Sequence, residues 1–297
     1  MQQYVGWVVE DMFRGRIWQP PPRDTCRAKD SSDVFLKTIS GARVHLRLVS
    51  ATADQNNDVW DKSKGLIVYF HGNAEDLRTC NLFMTWLALN MECNVMGLDY
   101  VGYGQSDVGS TTEQNMCEAA DAVLEHATSA LGYKHHQITV VGRSLGSIPA
   151  LHLASNVNNA GLQGLVLISA LASGARCVIP SAYVPSAVRN TLDSLFANNM
   201  KRASSVHCMV ILFHGDRDTT VKLENSELLK AKFCGWCHAR LVVVRGADHN
   251  SIIVGDLPQV HAQLRPFLLD SKENARLHSC HAESLTPYSP PDLLDFT

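Results

Sequence analysis

The sequence predicts an α/β fold with a mostly parallel central sheet, an antiparallel hairpin at its start and helices on both faces. Three observations carry that prediction. Short apolar runs recur at Leu66–Phe70, Val95–Leu98, Leu165–Ile168, Met209–Phe213 and Leu241–Val244; an unbroken apolar run of this length reads as a strand covered on both faces. Stretches of helical length separate them, and repeated β-α-β builds a parallel sheet wrapped by helices. Finally, the run Gln137–Val141 leads directly into Gly142-Arg143-Ser144-Leu145-Gly146. Gly-x-Ser-x-Gly makes a tight strand-to-helix turn in which the glycines allow close backbone approach and the serine is exposed above the sheet.

Taken in order, residues 1–33 read as an arm, in which an apolar, aromatic segment (Tyr4, Val5, Trp7, Val8, Met12, Phe13) passes through Pro20-Pro21-Pro22 into polar residues. Residues 34–270 read as a single domain, because a 297-residue chain that is 45% hydrophobic can bury one sizeable core. Within it, Val34 to Ile39 and Arg43 to Val49 alternate apolar and polar residues across Ser40-Gly41, the pattern of an edge hairpin. A polar loop over 51–65 precedes the Leu66–Phe70 strand, which delivers His71-Gly72-Asn73-Ala74 at its carboxyl end. Helices are predicted over 76–89, 112–130 and 148–155. Between 170 and 205, Gly174, Pro180 and Pro185 interrupt the pattern, which reads as a small cap-like excursion over the strand ends. Residues 271–297 lack periodicity and are expected to form a disordered tail.

A net charge of −3, from 26 Lys and Arg against 29 Asp and Glu, gives no electrostatic case for a nucleic-acid partner. The nine cysteines are odd in number and scattered, no N-x-S/T acceptor occurs, and Glu10 and Asp11 lie where a signal peptide would be apolar. The expectation is a cytoplasmic protein, neither secreted nor transmembrane, with membrane contact at most peripheral. The sequence leaves the oligomeric state open.

A serine hydroxyl is barely ionised at neutral pH, so nucleophilic chemistry at Ser144 needs an imidazole to take its proton and a carboxylate to orient that imidazole. In folds with this turn the order is Ser, then Asp or Glu, then His, each in a loop after a later strand. After Met209–Phe213 comes His214-Gly215-Asp216-Arg217-Asp218, and after Leu241–Val244 comes Gly246-Ala247-Asp248-His249-Asn250. Asp218 and His249 are the choices. Asp216 stands as the competing acid, and His238, His261, His278 and His281 follow no strand through a glycine-containing loop. Backbone amides of Leu145 and Asn73 are expected to form the oxyanion hole. Ser106, Ser147, His71 and Asp99 read as structural groups. Cys234-Gly235-Trp236-Cys237-His238 matches redox and haem-attachment patterns, but it lies near a helix end without a secretory context and reads as ordinary thiols. No cofactor or metal is expected.

With these residues placed, the chain resembles the α/β-hydrolases, and among them the branch of α/β-hydrolase-domain proteins whose mammalian members are serine depalmitoylases. The likeness runs from His71-Gly72-Asn73-Ala74 through Asp99-Tyr100-Val101-Gly102-Tyr103-Gly104, Gly142-Arg143-Ser144-Leu145-Gly146, Leu171-Ala172-Ser173-Gly174 and His214-Gly215 to Gly246-Ala247-Asp248-His249-Asn250, over roughly residues 34–270. It implies the α/β-hydrolase fold, the Ser144, Asp218 and His249 triad, and palmitoyl-protein thioesterase activity on S-acylated proteins. Two positions depart from that branch. Its members carry an acylated cysteine cluster near the N-terminus, whereas the first cysteine here is Cys26. The residue before the nucleophile is usually Gln there and is Arg143 here, a cation beside the elbow with scope to alter substrate preference.

Leu171, Val178, Ile179, Tyr183, Val184 and Leu195 in the excursion are expected either to line an acyl-chain groove over Ser144 or to complete the core. The arm likewise has two readings. Val5, Val8 and Met12 recur at helical spacing beside Tyr4, Trp7 and Phe13, with Arg14 and Arg16 following, which suits a peripheral membrane contact; the other reading is a strap packed along the domain. The same triad would serve a carboxylesterase or lysophospholipase acting on lipid oxyesters. An inactive hydrolase fold acting as a binding scaffold is the alternative of another class.

Overall fold

Successive side chains of a strand point to opposite faces, so an apolar strand has to be covered from both sides. In the computed structural model, which describes residues 18–23, 33–52, 60–179 and 184–284, Leu66–Phe70 (β3) does this: Leu66, Val68 and Phe70 enter one core, and Ile67 and Tyr69 the other. The remaining strands are Asp33–Lys37 (β1), Arg43–Val49 (β2), Asn94–Leu98 (β4), Ile138–Arg143 (β5), Gly164–Ile168 (β6), Met209–Gly215 (β7) and Arg240–Val244 (β8). They form one eight-stranded sheet in the order β1-β2-β4-β3-β5-β6-β7-β8. β2 runs antiparallel to both β1 and β4, and every other pair is parallel. This is the hairpin-led, mostly parallel sheet that the sequence predicts.

Asn81–Met91 (α1) and Leu257–Ser284 (α8) cover one face, packing Phe83, Met84 and Leu87 with Val260, Leu264 and Phe267. Glu113–Glu125 (α2) and Ser147–Ser155 (α3) cover the other with Met116, Ala120, Val123, Ile148 and Leu151. Among its described residues the excursion carries three short helices, Ala175–Val178 (α4), Ser186–Asp193 (α5) and Asn199–Ala203 (α6). Arg176 and the Ser173 hydroxyl both bond the Asp193 carboxylate, at 2.7 and 2.6 Å, and tie α4 to α5. Glu224–Lys230 (α7) joins β7 to β8.

Three boundaries differ most from the sequence expectation. The helix expected from 76 begins at Asn81, because Asp76 and Thr79 exchange side-chain to amide bonds at 2.8 and 2.9 Å and hold the chain in a turn. The helix expected over 112–130 starts on a Thr112–Asn115 capping box and is regular to Glu125, then widens into a π turn over His126–Ala130. The tail expected from 271 is helical as far as Ser284. Its start is bound to the domain: Ser271 is fully buried, and its hydroxyl lies 3.5 Å from Gln163 Nε2.

Candidate active site

β5 ends at Arg143 and α3 starts at Ser147, so the chain must reverse within a few residues. Ser144 takes φ +50°, in the left-handed region that side chains rarely adopt. Backbone closes on backbone here. A Cβ on Gly142 would lie 2.5 Å from the Gly146 carbonyl oxygen, and one on Gly146 would collide with the Phe70 and His71 carbonyls. The Ser147 hydroxyl bolts the turn from beneath, donating to the Ser144 carbonyl at 2.6 Å and accepting from the Leu171 amide at 3.1 Å.

The loop after β7 brings Asp218 back toward this turn. Its Oδ1 accepts from the Thr220 and Val221 amides at 2.9 and 2.8 Å, which leaves Oδ2 for His249 Nδ1 at 2.7 Å. His249 Nε2 lies 3.1 Å from Ser144 Oγ. A carboxylate only accepts, so the imidazole proton sits on Nδ1 and the Nε2 lone pair faces the serine hydroxyl. Burial alone would push the Asp218 carboxyl up. Hydrogen bonds from His214 and His249, the electrostatic pull of the His249 ring and the Val221 amide outweigh burial and hold it well below the usual carboxylate range. His214 reaches Asp218 at 3.4 Å while also donating to the Val221 carbonyl at 2.7 Å. Asp216, the competing acid, is exposed and accepts from the Gly246 amide at 2.7 Å, bracing the turn that leads to His249.

The two segments that carry the expected oxyanion donors both adjoin Ser144. The Leu145 amide lies in the first residues of a 3-10 turn, Ser144–Gly146, where amides have no acceptor within the helix. On the other side, a Cβ on Gly72 would lie only 3.6 Å from Ser144 Cβ, which brings the loop after β3 against the serine. Within that loop, Asn73 Oδ1 accepts from Tyr103 Oη at 2.6 Å and from the Gln19 amide at 2.9 Å.

His71 and Asp99 belong to a second, sealed cluster. Asp99 Oδ2 lies 2.9 Å from His45 Nδ1, and its Oδ1 accepts from the Leu77 amide at 2.8 Å and lies 3.5 Å from His71 Nε2. His71 Nδ1 lies 2.8 Å from the Gly72 carbonyl, and the His71 carbonyl accepts from Tyr100 Oη at 2.8 Å. Burial is the largest influence on both groups. It is outweighed by the pairing, which raises the His71 imidazole and holds the Asp99 carboxyl well below the carboxylate range. Ser106 serves the same loop by donating to the Asp99 carbonyl at 2.7 Å.

Arg143 corrects an expectation. Its side chain is only 4% exposed, and the guanidinium is engaged within the protein by Glu75 at 2.6 Å, the His249 carbonyl at 3.0 Å and Asn250 Oδ1 at 2.8 Å. It is an internal cross-link and offers no open cation to a substrate. Glu75 and His214 were missed by sequence reading. Glu75 had one signal, an acid in the loop that must pass the elbow.

The six excursion residues are not drawn together by what is described. Leu171 is buried in the core, Ile179 and Val184 line a void of about 10 Å³, and Leu195 borders a separate open cavity of about 590 Å³. Such a void has room for about one water. Tyr183 and the Val178 side chain lie outside the described residues. So do Tyr4, Val5, Trp7, Val8, Met12, Phe13, Arg14 and Arg16 of the arm. Further along that arm, Trp18 packs edge-on to Phe196 at 5.8 Å, and Arg23 donates to the Ser106 carbonyl. The Cys-x-x-Cys pair pins the entry to β8. Cys237 Sγ contacts the Val206 carbonyl at 3.1 Å and Cys234 Sγ the Ser204 carbonyl at 3.4 Å, while burial pushes the Cys237 thiol up to about 11.

A family described as "Serine aminopeptidase, S33" matches residues 61–199, a span that includes Ser144 but stops short of Asp218 and His249. Human "Alpha/beta hydrolase domain-containing protein 17B" is 26% identical over 229 residues, covering 76% of this chain and 72% of that protein. The Caenorhabditis elegans protein aho-3, also described as alpha/beta hydrolase domain-containing, is 29% identical over 208 residues, covering 68% of this chain and 57% of its own length. Among solved structures, the Pyrococcus furiosus esterase Pf2001 superposes with a TM-score of 0.63 at 18% identity, covering 84% of this chain and 98% of that one. Sheet topology and the superposition agree that the chain has the α/β-hydrolase fold.

Proposed function

We propose that this chain hydrolyses fatty-acyl thioesters on S-acylated proteins, with Ser144 as nucleophile, His249 as general base and acid, and Asp218 as the group that orients and supports His249. One observation carries the hydrolytic part: His249 bridges Asp218 and Ser144 through opposite ring nitrogens, at 2.7 and 3.1 Å, on a serine held at φ +50°. As Ser144 Oγ attacks the acyl carbonyl carbon, its proton passes to His249 Nε2. The carbonyl oxygen becomes an oxyanion held by the Leu145 and Asn73 amides. Collapse of the tetrahedral intermediate breaks the carbon–sulfur bond, and the departing thiolate takes the proton from His249. Water, deprotonated by His249, then releases the fatty acid from Ser144 and restores the hydroxyl.

The thioester part is supported by the resemblance to the depalmitoylase branch and by the match to α/β-hydrolase domain-containing relatives over about three quarters of the chain. It is tested by measuring kcat/KM along matched acyl thioesters and oxyesters from acetyl to palmitoyl. Each methylene that leaves water on binding adds about 0.8 kcal/mol, or roughly fourfold. The reading predicts a rise with chain length and a preference for the palmitoyl thioester. A flat or falling series would point instead to a small-ester esterase, and a rise confined to oxyesters to a lipid esterase.

A further inference from the structure

Resting on the hydrolase reading above, the geometry points to Arg143 and Glu75 as a charge-neutral clamp that positions the oxyanion loop and the His249 loop against each other across Ser144. Three loops meet at this clamp. Glu75 Oε2 accepts from the Gly72 amide at 2.7 Å, which shapes the loop that offers the Asn73 amide. Glu75 Oε1 pairs with Arg143 Nη1 at 2.6 Å, and Arg143 Nη2 donates to the His249 carbonyl and to Asn250 Oδ1. An unbroken path therefore runs from Gly72 through both side chains to the backbone of His249. Being the residue before Ser144 in sequence, Arg143 also fixes this path to the nucleophile turn.

The charge matters as much as the tether. The position of a Cβ on Gly72 would lie 2.9 Å from Glu75 Oε2, 3.0 Å from Arg143 Nη1 and 3.6 Å from Ser144 Cβ, so carboxylate, guanidinium and nucleophile crowd one point. The Glu75 side chain is 17% exposed and that of Arg143 is 4% exposed, so water screens the pair poorly. With Arg143 in place the pair is neutral. Without it, an uncompensated carboxylate would face the site where the acyl oxygen becomes negative and would oppose the transition state more than the ground state. The clamp is thus a positioning pair that acts on kcat. It also accounts for an arginine beside the nucleophile that binds no substrate anion.

The test is a double-substitution cycle, Arg143→Gln, Glu75→Gln and both together. Hydrolysis of a soluble 4-nitrophenyl ester is measured per active site titrated with a fluorophosphonate, beside melting temperature. Arg143→Gln should lower kcat by about 100-fold with KM within about threefold, the loss expected of a weakened oxyanion interaction. Glu75→Gln should cost less, and the double variant should recover about tenfold over Arg143→Gln, because removing the second charge relieves the first defect. Unchanged kcat in Arg143→Gln would overturn the inference, as would a double variant no better than Arg143→Gln. Should Arg143→Gln fail to fold, Arg143→Lys and Glu75→Gln carry the same split: reduced kcat at constant KM supports the clamp, and wild-type kcat refutes it. An inert wild-type chain would instead signal failure of the hydrolase reading itself.

Discussion

Two His–Asp clusters sit at the carboxyl edge of the same sheet, and they do different work. In both, pairing holds the carboxylate well below its usual range against the opposing effect of burial. His249 is 11% exposed and turns its second nitrogen to the Ser144 hydroxyl. His71 is fully buried, and its second nitrogen meets the Gly72 carbonyl. Asp99 is shared among His45, His71 and the Leu77 amide, so it locks loops together. The pairing of histidine with aspartate is therefore a brace in its own right. What distinguishes the candidate catalytic cluster is the partner of the far nitrogen and its access to solvent.

Substitutions at the two carboxylates should separate these roles. Asp218→Asn should lower kcat by about 10⁴-fold while changing the melting temperature little, because the His249 tautomer is no longer enforced. Asp99→Asn should do the opposite, lowering stability by about 2–4 kcal/mol while kcat of the folded enzyme stays within about tenfold. Equal kcat losses at Asp99 and Asp218, measured per titrated site, would dissolve the distinction. At the small end, Asp216→Asn should leave kcat within about threefold, since among the described residues that carboxylate accepts from the Gly246 amide, away from Ser144.

Acid titration sharpens the same comparison. Asp99 and Asp218 have folded values below the ordinary carboxylate value of about 4. Their stabilisation is fully present above that pH and is lost as pH falls through the folded values. His71 is raised, so its share is present below about pH 6.5 and is lost as pH rises through its folded value. The melting temperature should therefore drop below about pH 4, and Asp99→Asn should make that drop shallower. An identical acid slope in Asp99→Asn and wild type would show that Asp99 is not the linked group.

The strands and the elbow were legible because each depends on local chemistry. β3 and β6 are apolar over their buried spans, β5 and β7 are so apart from Thr139, Arg143 and His214, and Gly142 and Gly146 are required by carbonyls that would strike any Cβ. Asp218 was likewise readable from its place after a strand. What stayed hidden depends on partners distant in sequence. The direction taken by the Arg143 guanidinium is set by Glu75 and by a carbonyl at His249. The sealing of Asp99 is set by His45 on the antiparallel hairpin. The start of the supposed tail is ordered by burial of Ser271 and Ala275, a contact no periodicity within the tail announces.

The central claim is that Ser144 is the nucleophile, and the most direct measurement is mapping the adduct of a fluorophosphonate probe by mass spectrometry on the wild-type chain and on Ser144→Ala. The account predicts a single adduct on Ser144 in the wild type. In Ser144→Ala it predicts no labelling and a loss of about 10⁴–10⁶ in ester turnover, with melting temperature retained. Labelling of Ser144→Ala at the wild-type rate would contradict the claim. A folded wild-type chain that neither labels nor turns over esters would leave the hydrolase fold as a scaffold.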